Sequence, residues 1–188
     1  MKKILFLAIF TLASFSLVAA QSNDYHKNEF FAGYSLNRFV ENGSASGNAN
    51  GFNAAYVYNF NRYIGAKADF SGHFQRDSTT FLGTTFTSRS DVYRYMGGAQ
   101  IKDNNKDTKV KPFAHALIGG GSLRFTSSSG SFNSSSTRTN FALAVGGGLD
   151  IKATDRISVR VAQVDYAPIF NTGGIINAVR FSAGIVFH

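Results

Sequence analysis

The charged residues that could do chemistry in this chain occupy every second position of several segments, and the positions between them are apolar. Lys67 and Asp69 are separated by an alanine, and Asp150 lies between Leu149 and Ile151. A period of two places successive side chains on opposite faces of a β-strand, so the charged groups share one face. Buried charges need partners, so we expect ion pairs on that face. The residues with this placement are Glu29, Lys67, Asp69, Arg94, Asp150, Lys152, Arg160 and Arg180, joined by Asp165 if its strand is bulged.

Hairpin geometry selects two of these ion pairs. A hairpin between the strands that contain Asp69 and Arg94 puts Arg94 opposite Ser71 and diagonal to Asp69. A short turn after Asp150 brings Arg160 diagonal to it. Diagonal neighbours lie within reach of long side chains. The sequence therefore predicts Asp69–Arg94 and Asp150–Arg160 as ion pairs with a structural role.

A catalytic set is the alternative use of the polar residues. His73 falls near the end of one predicted strand, and Ser90 and Asp91 fall at the adjacent end of the next. A base oriented by an acid beside a hydroxyl is what nucleophilic catalysis requires. Serine and threonine crowd this region, however, so we expect no catalytic residue. The chain has no cysteine, and its histidines lack metal-ligand spacing, so we expect no cofactor and no metal.

Eight predicted strands position these residues, and six of them have a clear register. In the fifth, either Phe113 and Leu117 or Ala114, Ala116 and Ile118 face outward. In the seventh, a bulge near Ala162 would bring Gln163 and Asp165 onto the polar face, in exchange for Val164 and Tyr166. The strands span about 28–38, 51–60, 63–75, 90–101, 111–121, 140–152, 157–166 and 177–187.

Long and short connections alternate between these strands. The long ones are 39–50, 76–89, 122–139 and 167–176, all rich in Ser, Thr, Gly and Asn. Such alternation is typical of outer-membrane barrels, whose long loops face outward and whose short turns face the periplasm. The phenylalanines in the long connections either anchor a partner or extend an aromatic girdle. They are Phe81, Phe86, Phe125, Phe132 and Phe170.

The two faces of each strand separate a membrane barrel from a soluble barrel of lipocalin type. In "NFALAVGGGLDIK", 140–152, one face is large and apolar and the other consists of Asn, Ala, Gly and Asp. A soluble barrel would expose that second face to water, and Ala and Gly make the face too poor in polar groups to be well solvated. It suits the interior of an eight-stranded barrel, which is just wide enough for side chains. We therefore expect the aromatic-rich face to meet lipid.

The N-terminal stretch "MKKILFLAIFTLASFSLVAAQ" has the form of a secretory signal peptide: two lysines, an apolar run and small residues before Gln21. We expect cleavage after Ala20, so that 1–20 is the signal peptide and 21–188 is one barrel domain. The formal net charge of +8 falls to +6 without Lys2 and Lys3. The basic residues are scattered and form no nucleic-acid motif, so we expect no nucleic-acid partner.

Residues 21–188 resemble the small OmpA/OmpX-like outer-membrane β-barrel domain family. The resemblance rests on the signal peptide, the eight strands, the alternating connections and the final "RFSAGIVFH", in which Phe187 is penultimate. The family's usual last residue is aromatic, whereas here it is His188. The resemblance implies an eight-stranded antiparallel up-and-down transmembrane barrel. It also implies outer-membrane lipids, lipopolysaccharide and the barrel assembly machinery as partners.

The function expected from this reading is structural: a side-chain-filled barrel that contributes to membrane integrity. One alternative is a surface adhesin or resistance protein that acts on an unknown ligand through the four long connections. A lipid A-modifying enzyme built on His73, Ser90 and Asp91 is a further alternative. A selective pore is disfavoured, because eight strands leave little lumen.

Overall fold

The computed structural model describes residues 24–41, 44–81, 84–129 and 132–188, so the expected signal peptide lies outside the described residues. Period-two alternation of apolar and small or polar residues makes almost all of them strand. The strands are β1 (Asn28–Glu41), β2 (Ser44–Asn59), β3 (Ile64–Phe81), β4 (Thr84–Lys102), β5 (Val110–Ser129), β6 (Phe132–Lys152), β7 (Ile157–Tyr166), β8 (Ile169–Asn171) and β9 (Gly174–Phe187).

The strands form one closed antiparallel barrel with eight positions. Each strand from β1 to β6 pairs with the next, and β9 pairs with β1 to close the ring. The strands β7 and β8 share one position, because both pair with β6 on one side and with β9 on the other. Closure pairs the described strands on both sides around the ring, except at the hairpin end, where segments such as 75–81 of β3 and 132–140 of β6 pair on one side only. No helix in the described part of the chain is both long and apolar enough to cross a membrane.

The barrel has two different ends. At the turn end, short connections follow β2, β4 and β6, and both described termini lie there. At the hairpin end, the sequence predicts long loops, and this prediction is wrong for most of their residues. The strands continue through 76–81 and 84–89 and through 122–129 and 132–139, paired throughout. Serine and threonine tolerate extended backbone well, so polar hairpins extend the wall instead of forming irregular loops.

The outward face is apolar. The structure shows which residues of β5 and β7 lie on this face, a question that the sequence left open. Ala114, Ala116 and Ile118 are exposed, whereas Phe113 and Leu117 are buried inside. On β7 the pairing shifts between Arg160 and Gln163, so the bulge near Ala162 is confirmed. Val164 and Tyr166 accordingly face outward, and Gln163 and Asp165 face inward.

Aromatic side chains form two bands on this outward face, with small residues between them. On β1, Ala32 separates Phe30 from Tyr34, and on β2, Ala54 separates Phe52 from Tyr56. The outward apolar residues of β6 extend from 141 to 151, about 33 Å along the strand and about 25 Å along the axis at usual barrel tilt. That height matches the hydrocarbon band of outer-membrane barrels.

The phenylalanines of the long connections divide between two environments. The Phe170 ring packs against outward-facing Phe141 with centroids 5.8 Å apart, as part of the upper aromatic band. The Phe125 side chain is 51% exposed at the hairpin end. The remaining side chains lie outside the described ones; they are those of Phe81, Phe86 and Phe132.

The interior has an apolar layer toward the hairpin end and a polar layer toward the turn end. Glycines on the inward face leave space for the side chains of the polar layer. A Cβ at Gly146 would collide with the Val164 carbonyl and with the Asp165 carboxylate. The first glycine of "GGG", Gly146, therefore leaves room for charged groups. The apolar layer consists of Val92, Met96, Leu117, Leu123, Ala142, Ala144, Ala167 and Ile169.

Candidate functional site

Buried ion pairs occupy the interior near the turn end. Lys102 Nζ lies 2.7 Å from Glu29 Oε2 and 2.8 Å from Asp150 Oδ2. Arg160 binds the same carboxylate of Asp150, through Nε at 2.8 Å and Nη2 at 3.1 Å. None of these four side chains is more than 1% exposed. Each carboxylate thus meets a cation by a charge-assisted hydrogen bond, the strong form of the interaction.

Arg160 extends this group toward the barrel centre. Its Nη1 donates to Gln163 Oε1 at 2.7 Å, and Gln163 Nε2 donates to Asp165 Oδ2 at 2.7 Å. The guanidinium lies between two rings, 4.3 Å from the centroid of Phe31 and 4.1 Å from that of Phe113. Cation–π contact on both faces fixes the plane in which Arg160 donates.

A second group of ion pairs lies at the centre, around Arg180. Its Nη1 lies 2.7 Å from Asp69 Oδ1, and its Nη2 lies 2.6 Å from Asp165 Oδ2. Lys67 Nζ lies 3.9 Å from Asp69 Oδ2 and 3.2 Å from His115 Nδ1. His115 Nε2 in turn lies 3.0 Å from Asp165 Oδ1. Polar contacts therefore connect the turn end to the barrel centre without a break.

One of the two expected ion pairs is present. Asp150 and Arg160 face each other on β6 and β7, and both carboxylate oxygens accept hydrogen bonds from the guanidinium. The two residues are directly opposite, not diagonal. The two side chains therefore meet without extending along the strand direction, and the guanidinium contacts both carboxylate oxygens.

The other expected ion pair, Asp69–Arg94, is wrong. Arg94 does lie opposite Ser71, but its Nη2 donates to the Ala167 carbonyl oxygen at 3.3 Å. Asp69 binds Arg180 instead. The strands β3 and β9 are not neighbours in the ring, so Arg180 reaches Asp69 across the lumen. An eight-stranded barrel is narrow enough for such contacts.

Lys152 lies at the rim of the turn end and not in the interior network. Its Nζ lies 2.6 Å from Asp155 Oδ1 and 2.7 Å from the Lys106 carbonyl oxygen, and its side chain is 19% exposed. The network contains Lys102 in its place. The period of two that puts Arg94 inside puts Lys102 inside as well. The buried polar residues that sequence reasoning missed or left unassigned include Lys102, Lys111, His115 and Gln163.

The residues considered for lipid A chemistry lie on different faces of the wall. His73 is buried inside, with Nε2 2.9 Å from Ser35 Oγ. Asp91 lies on the outward side, and its Oδ1 lies 2.8 Å from Arg89 Nε. Ser90 precedes Asp91 and takes the opposite face. The base–acid pair that this hypothesis needs is not formed by these described residues.

Three arginines on the outward face at the hairpin end, Arg76, Arg89 and Arg124, form what we call the arginine collar. Arg76 lies directly opposite Arg89, and Arg124 lies opposite Asp91. The Arg89 guanidinium is 5.9 Å from the ring centroid of Phe74, in the upper aromatic band. Like charges directly opposite each other destabilise a sheet. Asp91 is paired with Arg89 and neutralises one of these charges, so the collar and Asp91 together have a formal charge of about +2.

Two histidines at the turn end stack on each other. The rings of His26 and His188 have centroids 4.1 Å apart, and His188 Nε2 lies 2.8 Å from Ser158 Oγ. Burial lowers the pKa of His26 to about 4 and that of His188 to about 3. Both residues lie outside the paired strands, β1 to β9.

This pair predicts a loss of stability in acid. In the unfolded chain both histidines protonate near pH 6.5, whereas the folded chain resists protonation until about pH 4. Between these values the unfolded state binds more protons, so stability falls as the pH falls. We expect a lower urea midpoint at pH 5 than at pH 7.5, measured by circular dichroism in micelles. The variant H26N/H188N should show a smaller difference; an unchanged difference would contradict the assignment.

A closed antiparallel barrel with an apolar outer face, two aromatic bands and an ion-paired interior defines a class, the transmembrane β-barrels of the Gram-negative outer membrane. The chain belongs to the outer membrane protein beta-barrel domain family, whose model matches residues 6–188. It is therefore an outer-membrane protein. None of the curated protein sequences compared with the chain matches it.

Solved structures of small outer-membrane barrels are similar to this fold. Ail, the attachment invasion locus protein of Yersinia pestis, in complex with the heparin analogue sucrose octasulfate, has a TM-score of 0.61 at 22% identity, over 85% of this chain and 97% of that one. Neisserial surface protein A has a TM-score of 0.58 at 17% identity, over 88% and 99%. OprG from Pseudomonas aeruginosa has a TM-score of 0.55 at 11% identity, over 87% and 97%.

Proposed function

We propose that this protein is a structural component of the outer membrane, a barrel closed by its own side chains that contributes to the integrity of the envelope. The observation that carries this proposal is the unbroken set of polar contacts from Glu29 to Asp69, overlain by the apolar layer. In this proposal the two layers together fill the lumen along much of its length. The proposal includes no catalytic role, because His73, Ser90 and Asp91 are not assembled.

Export and assembly complete this proposal. Residues 1–20 act as a signal peptide, and 21–188 form the barrel in the outer membrane. The C-terminal strand β9 pairs with β1 and ends in alternating apolar residues with Phe187 outward. This strand is the element that the barrel assembly machinery recognises.

Lipopolysaccharide is the proposed lipid partner of the arginine collar. Its phosphate groups lie at the level where the apolar band ends. Arg76 and Arg89 oppose each other at that level, and guanidinium groups bind phosphate by paired hydrogen bonds. Asp91 already binds Arg89, so a phosphate beside Arg76 and Arg89 offsets the positive charge that remains, and it fixes the barrel at one depth in the outer leaflet.

The collar predicts a lipid-specific effect. Neutralising two arginines in R76Q/R89Q should reduce by at least half the rise in urea midpoint that lipopolysaccharide produces in phospholipid vesicles. The matched control is R156Q, in the exposed turn at the other end of the barrel. Equal responses of R76Q/R89Q and wild type would show that the collar does not bind lipopolysaccharide.

A surface-binding function is a second candidate, and the extended hairpins favour it. β5 and β6 pair from the collar as far as Ser129 and Phe132. Five residues beyond Arg124 rise about 17 Å along the strand above the collar. An adhesin or resistance protein acts through elements of this kind. The Ail complex with a heparin analogue is a case of a barrel with a similar fold bound to a polyanion.

Complementation separates the two candidates. In a deletion strain of the host, the full barrel is compared with one whose hairpins are joined by Asn-Gly turns at Ser78–Thr87 and Thr126–Ser135. Both junctions are register pairs above the collar, so the barrel keeps its pairing. Equal rescue of detergent resistance by both barrels is expected if the barrel itself is the function. Rescue by the full barrel alone would assign the function to the hairpins.

A further inference from the structure

The charges buried inside the barrel do not balance. Six cationic residues but only four carboxylates are buried in the interior. The carboxylates of Asp69, Asp150 and Asp165 are each bound by arginine, and Glu29 is bound by lysine. Among the described residues, no carboxylate lies within ion-pair distance of the two remaining cations. The cations are Lys67, Arg94, Lys102, Lys111, Arg160 and Arg180.

Of the two unpaired cations, Arg94 is the more deeply placed. Lys111 is the second residue of β5, next to the turn end, where water is close. Arg94 lies within the apolar layer, between Val92 and Met96 on β4, with 0% of its surface exposed. Its Nη2 donates weakly to a carbonyl at 3.3 Å, while Nε and Nη1 have no partner in the described structure. A buried guanidinium left in this state is strongly disfavoured.

Other unpartnered groups lie at the level of Arg94. His73 is its diagonal neighbour on β3 and is fully buried, and its Nδ1 has no partner in the described structure. The single hydroxyl proton of Ser35 is shared between the Phe181 carbonyl oxygen at 3.2 Å and His73 Nε2 at 2.9 Å, so Nδ1 is a donor only in the tautomer whose Nε2 accepts from Ser35. Asn37 lies opposite Arg180 on β1, and its Nδ2 likewise has no described partner. The oxygen Oδ1 of Asn37 also has no described partner, so three unpartnered donor atoms, Arg94 Nε, Arg94 Nη1 and Asn37 Nδ2, stand against this one acceptor.

We propose that this level holds one small inorganic anion of the halide class, chloride under ordinary conditions. The anion accepts hydrogen bonds from Arg94 Nε and Nη1 and from Asn37 Nδ2. His73 Nδ1 is the fourth donor in the tautomer whose Nε2 accepts from Ser35. It supplies one of the missing negative charges. Side chains of the apolar layer lie on both sides of Arg94 along β4 and close the site, so the anion is taken up during folding and exchanges slowly.

Bromide is the probe, because it replaces chloride and scatters anomalously. The mature barrel is refolded in sodium bromide and crystallised. An anomalous peak within hydrogen-bond distance of Arg94 Nε is expected. The same crystals from R94M should lack the peak. Electron density of a water at this position, without an anomalous signal, would overturn the proposal.

A second pair of variants tests the site without removing the arginine. Ser71 is buried directly opposite Arg94 and accepts a hydrogen bond from Arg180 Nη1 at 3.1 Å, so S71D places a carboxylate beside both guanidinium groups, and S71N adds the same bulk without charge. Wild type and S71N refolded in chloride should melt at a higher temperature than in gluconate of equal ionic strength. S71D should lose this difference. Equal melting of the wild type in both salts, or an unchanged difference in S71D, would contradict an anion at Arg94.

Discussion

Replacing Arg180 by methionine is expected to lower the free energy of unfolding by about 3–5 kcal/mol, the usual cost of removing one partner of a buried ion pair. Arg180 binds two carboxylates, Asp69 at 2.7 Å and Asp165 at 2.6 Å, and all three side chains are 0% exposed. After the substitution, Asp69 keeps Lys67 at 3.9 Å and the amide of Asn53 at 3.0 Å, and Asp165 keeps His115 at 3.0 Å and the amide of Gln163 at 2.7 Å. The loss is measured by urea unfolding in vesicles.

The matched control for this prediction is Arg94→Met. It removes the same side chain from the same interior, but Arg94 has no carboxylate partner in the described structure. In a halide-free buffer, R94M should therefore cost much less than R180M. The double variant R180M/D165N should recover part of the lost free energy of unfolding, because it removes one of the two carboxylates left without their arginine. Similar losses for R180M and R94M would mean that cavity formation, and not charge pairing, determines the cost.

The faces of the strands were predictable from the sequence, whereas the contacts inside the barrel were largely not. A period of two decides which side chains point inward, and it places Asp69, Asp150 and Arg180 correctly without knowledge of the fold. The same period does not decide which of the inward side chains contact each other. Neighbouring strands can be inferred from hairpins, so the ion pair Asp150–Arg160 could be predicted from the sequence. The contact between Arg180 and Asp69 crosses the lumen, and no local pattern contains it.

The long connections show a different limit of sequence reasoning. Their content of Ser, Thr and Gly resembles that of irregular loops, yet residues such as Ser78 and Thr87 pair in register as strand. Cross-strand pairing and continuity with a rigid barrel decide the outcome there, and composition does not. The arginine collar was missed for the same reason. Its residues come together only because the wall continues past the apolar band.

The lipid-facing surface predicts the second large effect. Val145 is 56% exposed on β6, midway along the outward apolar residues. An arginine at the bilayer midplane costs a transmembrane barrel about 2–4 kcal/mol, because the charge has neither water nor a partner there. We expect V145R to lower the free energy of unfolding in vesicles by this amount.

The control for V145R is I175R, at the edge of the hairpin end, where Ile175 is 54% exposed. Near the interface the cost of an arginine falls to about 0–1 kcal/mol, since the side chain reaches the headgroups. The two positions are almost equally exposed, so a soluble barrel would tolerate both substitutions equally in water. A large difference between them thus reports depth in a hydrocarbon layer. Equal losses would contradict the placement of the apolar band in the membrane.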